Sequence, residues 1–225
     1  MTPESLRIQV DEQHSVSALA LQPARPVACY VFAHGAGADM MHASMESMAQ
    51  ALSGVGIATL RFQFPYMERG SGRPDAPSLC HATIRAANAE AARHWPDLPR
   101  IAGGRSFGGR MTSQAQVADP LDGVRGLAFL AFPLHPAGKP SAERAQHLSE
   151  VRVPMLFVQG DRDALAQLDL LAALIDRLSA RSTWQRIEGA DHSFRVPARS
   201  GRKPADVVRG IAAGMRGWLD ALLER

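Results

Sequence analysis

Three stretches of the chain carry residue types that together can do nucleophilic chemistry. The first is Ile101–Arg110, IAGGRSFGGR, in which Gly104, Ser106 and Gly108 fit the pattern G-x-S-x-G. In such a turn a serine stands on a sharp strand-to-helix corner, and the residues two before and two after it must be small for the chain to fold back. That corner would lift the Ser106 hydroxyl clear of a sheet. It would also leave the N–H of Phe107 at a helix N-terminus, where it can stabilise a developing oxyanion. A phosphate-binding loop is the competing reading of a glycine run, and it fails. Counted from Gly104 the run ends Gly109-Arg110-Met111, without the lysine and hydroxyl that G-x-x-x-x-G-K-[ST] requires.

A serine of this kind needs a base, and the base needs an orienting carboxylate. Gly160-Asp161-Arg162-Asp163 directly follows the apolar run PMLFVQ, so both aspartates stand where a strand end would present an acid. Asp163 is favoured, although its place just before Ala164-Leu165 also suits an ordinary helix N-cap. Gly189-Ala190-Asp191-His192-Ser193-Phe194 supplies His192, the one histidine placed after the last expected strand and before the closing helix. His14 falls in a terminal turn, and His42, His81, His94 and His147 fall on expected helices. His34 and His135 follow earlier strands. His34 reads as structural or pocket-lining, and His135 as a pocket residue. The loop His34-Gly35-Ala36-Gly37 stands where this architecture puts a second oxyanion donor, with the Ala36 N–H as the candidate and its immediate neighbours as alternatives, or else it serves only to turn a strand into a helix. It is no dinucleotide fingerprint, because the third glycine would fall on Met40.

These residues must be held by a framework, and the apolar pattern gives one. Ala28–Ala33, Gly56–Phe64, Ile101–Gly103, Val124–Phe132 and Pro154–Gln159 are short apolar runs suited to strands covered on both faces, and Ser182–Ile187 reads as the last strand. Leu6–Val10 and Ser17–Leu21 read as two further strands around a polar turn. Between them lie helical patterns: Met41, Met45, Met48 and Leu52, with Asp39 as N-cap and Gly54 as stop; Cys80 to Trp95; Phe107 to Ala118; Leu165 to Leu178; and Val207 to Leu222, whose glycines allow close packing on a sheet. Such alternation implies a mainly parallel sheet with helices on both faces, and reactive groups at the carboxyl ends of its strands. Pro133–Val153 has room for little more than a short helix, so no large cap domain is expected and the site should be open.

Composition narrows the class further. A chain of 225 residues, 46% hydrophobic and 21% charged, suits one globular domain over residues 1–225. Its 25 basic and 22 acidic residues are scattered, which does not resemble a nucleic-acid footprint. Two cysteines, Cys29 and Cys80, read as reduced core residues and not as a metal or disulfide frame. No targeting segment or membrane span is visible, so the cytoplasm is the default location. Nothing in the residues sets an oligomeric state.

The order Ser106, Asp163, His192 is nucleophile, acid, base. With the runs HGAGADM, RFQFPY, GGRSFGGRM, FPLHP, QGDRD and GADHSF, the chain resembles the α/β-hydrolase superfamily over nearly its whole length, especially the small dienelactone-hydrolase-related members and the KANL/Tex-type predicted hydrolases. The resemblance implies a serine hydrolase acting on a small ester-like substrate, carboxylester or thioester, through an acyl-enzyme. It assigns Ser106, Asp163 and His192 to the triad and Phe107 and Ala36 to the oxyanion hole, with no metal or organic cofactor. Dienelactone hydrolases use cysteine as nucleophile, so the serine argues against that activity. The alternative is a catalytically silent module that keeps the same shell for binding. Arg69, Arg73, Arg105, Arg195, Arg199, Arg202 and Lys203 could ring the site and favour an anionic substrate, the alternative for most of them being a solvated surface arginine.

Overall fold

In the computed structural model, which describes residues 1–224, the chain builds one eight-stranded sheet in the order β1-β2-β4-β3-β5-β6-β7-β8. Strands β1 (Glu4–Gln9) and β2 (Ser15–Leu21) form an antiparallel hairpin, and β2 also runs antiparallel to β4 (Ile57–Phe62). From there β3 (Ala28–Ala33), β4, β5 (Arg100–Arg105), β6 (Val124–Leu130), β7 (Met155–Gly160) and β8 (Ser182–Ile187) are parallel throughout. The apolar runs at β3, β4 and β7 are buried at every position, as strands covered on both faces must be. β8 closes the edge and is mostly half-exposed.

Among the described residues six α-helices accompany the sheet: α1 (Ala43–Gly54), the short α2 (Pro65–Glu68), α3 (Pro77–His94), α4 (Phe107–Ala118), α5 (Leu168–Leu178) and α6 (Pro204–Leu223). Alternate residues of the strands divide the core in two. Cys29, Val31 and Ala33 of β3 pack with residues of α3, α4 and α5, while Tyr30 and Phe32 pack with α1 and α6. Among the α6 glycines, Gly214 makes the close approach: a Cβ there would overlap the Gln185 side chain of β8, whose amide donates to the Gly210 carbonyl at 2.9 Å.

Several boundaries differ from expectation for local reasons. α1 begins at Ala43, capped by the His42 ring, because Asp39 spends its carboxylate on the Met41 N–H in the preceding turn. Met41 therefore leaves the core stripe and is 65% exposed, whereas Met45, Met48 and Leu52 are buried. α5 begins at Leu168 and not at Leu165, since residues 161–167 are occupied by the turn that carries Asp163. Residues 131–154, between β6 and β7, contain only a 3₁₀ stretch at Glu143–Glu150, so no cap domain covers the carboxyl edge of the sheet. None of the described helices is long and apolar enough to cross a membrane.

Candidate active site

The nucleophile candidate stands at the corner between β5 and α4. Ser106 has φ 49° and ψ −113°, a left-handed backbone setting that costs a non-glycine residue on the order of 1–3 kcal/mol. The corner is held from both sides. Ser106 N–H donates to the Leu130 carbonyl at the end of β6, 2.9 Å away. Across the turn, a Cβ at Gly104 would come within 2.4 Å of the Ala33 carbonyl oxygen, and one at Gly108 within 2.5 Å of the His34 carbonyl oxygen. Any larger residue at either place would push the elbow off the end of β3, so the two glycines are a steric requirement.

Three side chains from three strand ends meet here. His192 Nε2 lies 2.9 Å from Ser106 Oγ, and His192 Nδ1 lies 2.7 Å from Asp163 Oδ2. A carboxylate only accepts, so Nδ1 bears the ring proton and Nε2 presents its lone pair to the serine. Asp163 has a fully buried side chain while His192 is 25% exposed, so the acid is shielded and the imidazole reachable. Asp163 also does what an N-cap would do, for its Oδ1 accepts the Leu165 N–H at 2.8 Å while Oδ2 faces the histidine. The competing carboxylate is engaged elsewhere: Asp161 pairs with Arg186 at 2.9 Å and accepts the Gly189 N–H at 2.7 Å.

Gln159 was not legible as part of the site. From the buried strand β7 its amide donates to Asp163 Oδ2 at 2.5 Å, so the acid oxygen that faces His192 is held from a second direction. The only signal in the sequence is a polar residue at the end of PMLFVQ.

Phe107 opens α4, so its N–H has no carbonyl one turn earlier within the helix to bond. The second donor candidate, Ala36, follows Gly35, whose Cβ position would lie 3.8 Å from Ser106 Cβ. Here His34 has a definite place. It is fully buried, with Nδ1 2.8 Å from the Gly35 carbonyl oxygen and Nε2 accepting the Phe64 N–H at 3.1 Å. Those partners fix one tautomer, and burial holds the ring's pKa below the ordinary histidine range, so it is neutral. The Gly35 carbonyl and the Ala36 N–H belong to one trans peptide and point opposite ways. By holding the first, His34 aims the second. Tyr66 Oη donates to the Ala36 carbonyl at 3.2 Å, and Arg61 and Gln63 grip the carbonyl and N–H of Met40 at 2.9 and 3.1 Å.

His135 is placed differently from the pocket role expected of it. Its ring is buried, with Nδ1 2.9 Å from the Pro136 carbonyl oxygen and Nε2 accepting the Gln167 N–H at 3.1 Å, so both nitrogens tie loops together. Arg105, next to the serine, donates to the His192 carbonyl at 3.3 Å and lies 5.8 Å above the Phe194 ring.

Comparison with known proteins gives the same architecture. A family model described as an alpha/beta hydrolase domain matches residues 26–220. Among solved structures, an alpha-beta serine hydrolase homologue from Coxiella burnetii is 22% identical with a TM-score of 0.75, covering 94% of this chain and 96% of that one. An a/b serine hydrolase without lid from Xanthomonas campestris is also 22% identical at a TM-score of 0.75, covering 97% of this chain and 95% of that one. A dienelactone hydrolase from Anabaena variabilis is 17% identical at 0.74, covering 98% and 99%.

Proposed function

The chain belongs to the α/β-hydrolase family, and from that premise we propose that it is a serine hydrolase that cleaves small carboxylesters or thioesters through an acyl-enzyme. The observation that carries this reading is the continuous relay Ser106 Oγ, His192 Nε2, His192 Nδ1, Asp163 Oδ2, with separations of 2.9 and 2.7 Å at its two hydrogen bonds. A silent binding module would have no use for a strained serine backed by an oriented imidazole.

The reaction follows from the placement. Ser106 Oγ attacks the carbonyl carbon while its proton passes to His192 Nε2. Asp163 favours the resulting imidazolium and keeps its tautomer fixed, with Gln159 steadying the carboxylate. Charge gathers on the former carbonyl oxygen, which the N–H groups of Phe107 and Ala36 receive. The tetrahedral species collapses, the C–O or C–S bond breaks, and the leaving alcohol or thiol takes the proton from His192. Water then attacks the acyl-serine by the same route and releases the acid.

The test is hydrolysis of p-nitrophenyl esters and thioesters of increasing chain length. Turnover is expected for short acyl groups, falling about 10⁴- to 10⁶-fold in Ser106→Ala. Folded protein that leaves every member of the panel intact, or hydrolysis unaltered in Ser106→Ala, would overturn the proposal.

A further inference from the structure

A cavity of about 540 Å³ opens between the first turns of α1 and α6 and the segment that follows His192. That volume is within the range of pockets that hold a small ligand, roughly 300–1,000 Å³. Its apolar wall includes Met48, Phe194 and Val208, and its charged wall is Arg105, Arg195 and Arg202. No carboxylate lines it, and among the described residues none of the three guanidinium groups has an ion-pair partner. Arg105 donates only to the His192 carbonyl, and Arg202 to the Glu188 carbonyl.

Nearby acids are hydrogen-bonded to other groups. Asp163 is committed to His192 and Gln159, and Asp191 Oδ1 accepts the N–H groups of Ser193 and Arg195 at 2.7 and 2.9 Å. Burial lowers the pKa of Arg105, and Arg195 adds to this, opposed by the fields of Asp191 and Asp163. Arg105 is partly buried and Arg195 and Arg202 are exposed, and a guanidinium without a carboxylate is a planar fork with free donors, suited to an oxyanion. The cavity adjoins the candidate triad through its lining residues: Arg105 directly precedes Ser106 and donates to the His192 carbonyl at 3.3 Å, and Ser193-Phe194-Arg195 directly follow His192.

We propose that this cavity selects the substrate: it takes an ester with an apolar arm ending in an anionic group, the arm lying along Met48, Phe194 and Val208 and the anion meeting Arg105 and Arg202. This rests on the hydrolase reading above and adds the substrate class to it. The anion can sit on the acyl arm or on the leaving group, and the two sources are separable by choice of probe.

Two matched pairs serve: p-nitrophenyl hydrogen adipate against p-nitrophenyl hexanoate, and 4-carboxyphenyl hexanoate against phenyl hexanoate. For each ester, kcat/KM is divided by its hydroxide-catalysed rate. In at least one pair the acid ester is expected to be favoured about tenfold or more, equivalent to about 1.4 kcal/mol. That ratio should fall toward one in Arg105→Met and in Arg202→Met, the second keeping the test open where the first does not fold. The pair that responds identifies the arm. Indifference in both pairs with turnover intact, or a preference unchanged in the folded variants, overturns the proposal and leaves the hydrolase reading standing. Where no ester is turned over at all, calorimetric binding of the same four esters decides. Binding of an acid ester that weakens about tenfold in Arg202→Met supports the cavity, and equal binding within both pairs overturns it.

Discussion

Ser106 and Ser113 each have an imidazole nitrogen at hydrogen-bonding distance, His192 Nε2 at 2.9 Å from the first and His147 Nε2 at 2.8 Å from the second. By distance alone the two pairs are the same, and their surroundings separate them. Ser106 stands at a strained corner at the carboxyl edge of the sheet, whereas Ser113 is buried inside α4, where its hydroxyl also meets the Arg110 carbonyl at 2.9 Å. A hydroxyl has one proton. If Ser113 gives it to that carbonyl, His147 is the donor to Ser113 and no base is available there. Behind His192 lies a buried carboxylate, Asp163, which holds its Nδ1 at 2.7 Å. His147 is desolvated, and the cations around it, Arg110 first, oppose a charge, so its pKa is pushed down to about 4. On the function proposed above, what separates the two contacts is the acid behind His192 and the part-exposed corner that carries Ser106.

Removing the acid should make the first pair behave like the second. Asp163→Asn is expected to lower kcat by about 10³- to 10⁴-fold, because the amide permits the wrong tautomer and no longer stabilises the imidazolium. Asp161→Asn, whose carboxylate holds Arg186 and the Gly189 N–H, should change kcat by less than about tenfold. Steady-state kinetics of the two variants check the contrast, and the reverse ranking would move the acid to Asp161.

A smaller effect is expected where the oxyanion side is loosened. His34→Ala frees the Gly35–Ala36 peptide and should lower kcat by about 10- to 100-fold, somewhat less than the 10²–10³ that loss of a whole donor costs, with KM little changed. A change confined to KM would assign His34 to substrate binding instead.

Much of this was written in the sequence because it is local. Gly104 and Gly108 reveal the elbow since sterics at one turn demand them, and the order Ser106, Asp163, His192 follows from strand ends that the apolar runs mark. The roles of His34, His135, His147 and Gln159 were not legible in the same way. Each depends on which distant group comes to face the side chain: Phe64 just past β4 for His34, Gln167 for His135, Ser113 for His147 and Asp163 for Gln159. The starts of α1 and α5 were missed for a related reason. Asp39 and Asp163 have the residue type of an N-cap, but each cures a turn N–H two residues on, and the helix begins later.

The second pair offers the smallest effect, seen in stability and not in rate. His147 has an ordinary pKa of 6.5 when exposed and about 4 in the fold, so the unfolded chain binds its proton first as pH falls. Its contribution to stability is complete above pH 6.5, declines between 6.5 and about 4, and changes no further below that. His147→Gln should therefore flatten part of the fall in Tm over that window, measured by thermal unfolding from pH 7 to pH 4. A parallel displacement of the whole curve would mean that the ring titrates normally in the fold.

The claim that only one of the two serines is a nucleophile is tested most directly by covalent capture. Wild-type protein treated with a fluorophosphonate and mapped by peptide mass spectrometry should carry a single adduct, on Ser106. The adduct should be absent in Ser106→Ala, strongly slowed in Asp163→Asn, and undiminished in Ser113→Ala, whose ester hydrolysis stays within about twofold of wild type while stability drops by about 1 kcal/mol. Folded protein that takes no label, or an adduct on Ser113 that persists in Ser106→Ala, would contradict the account.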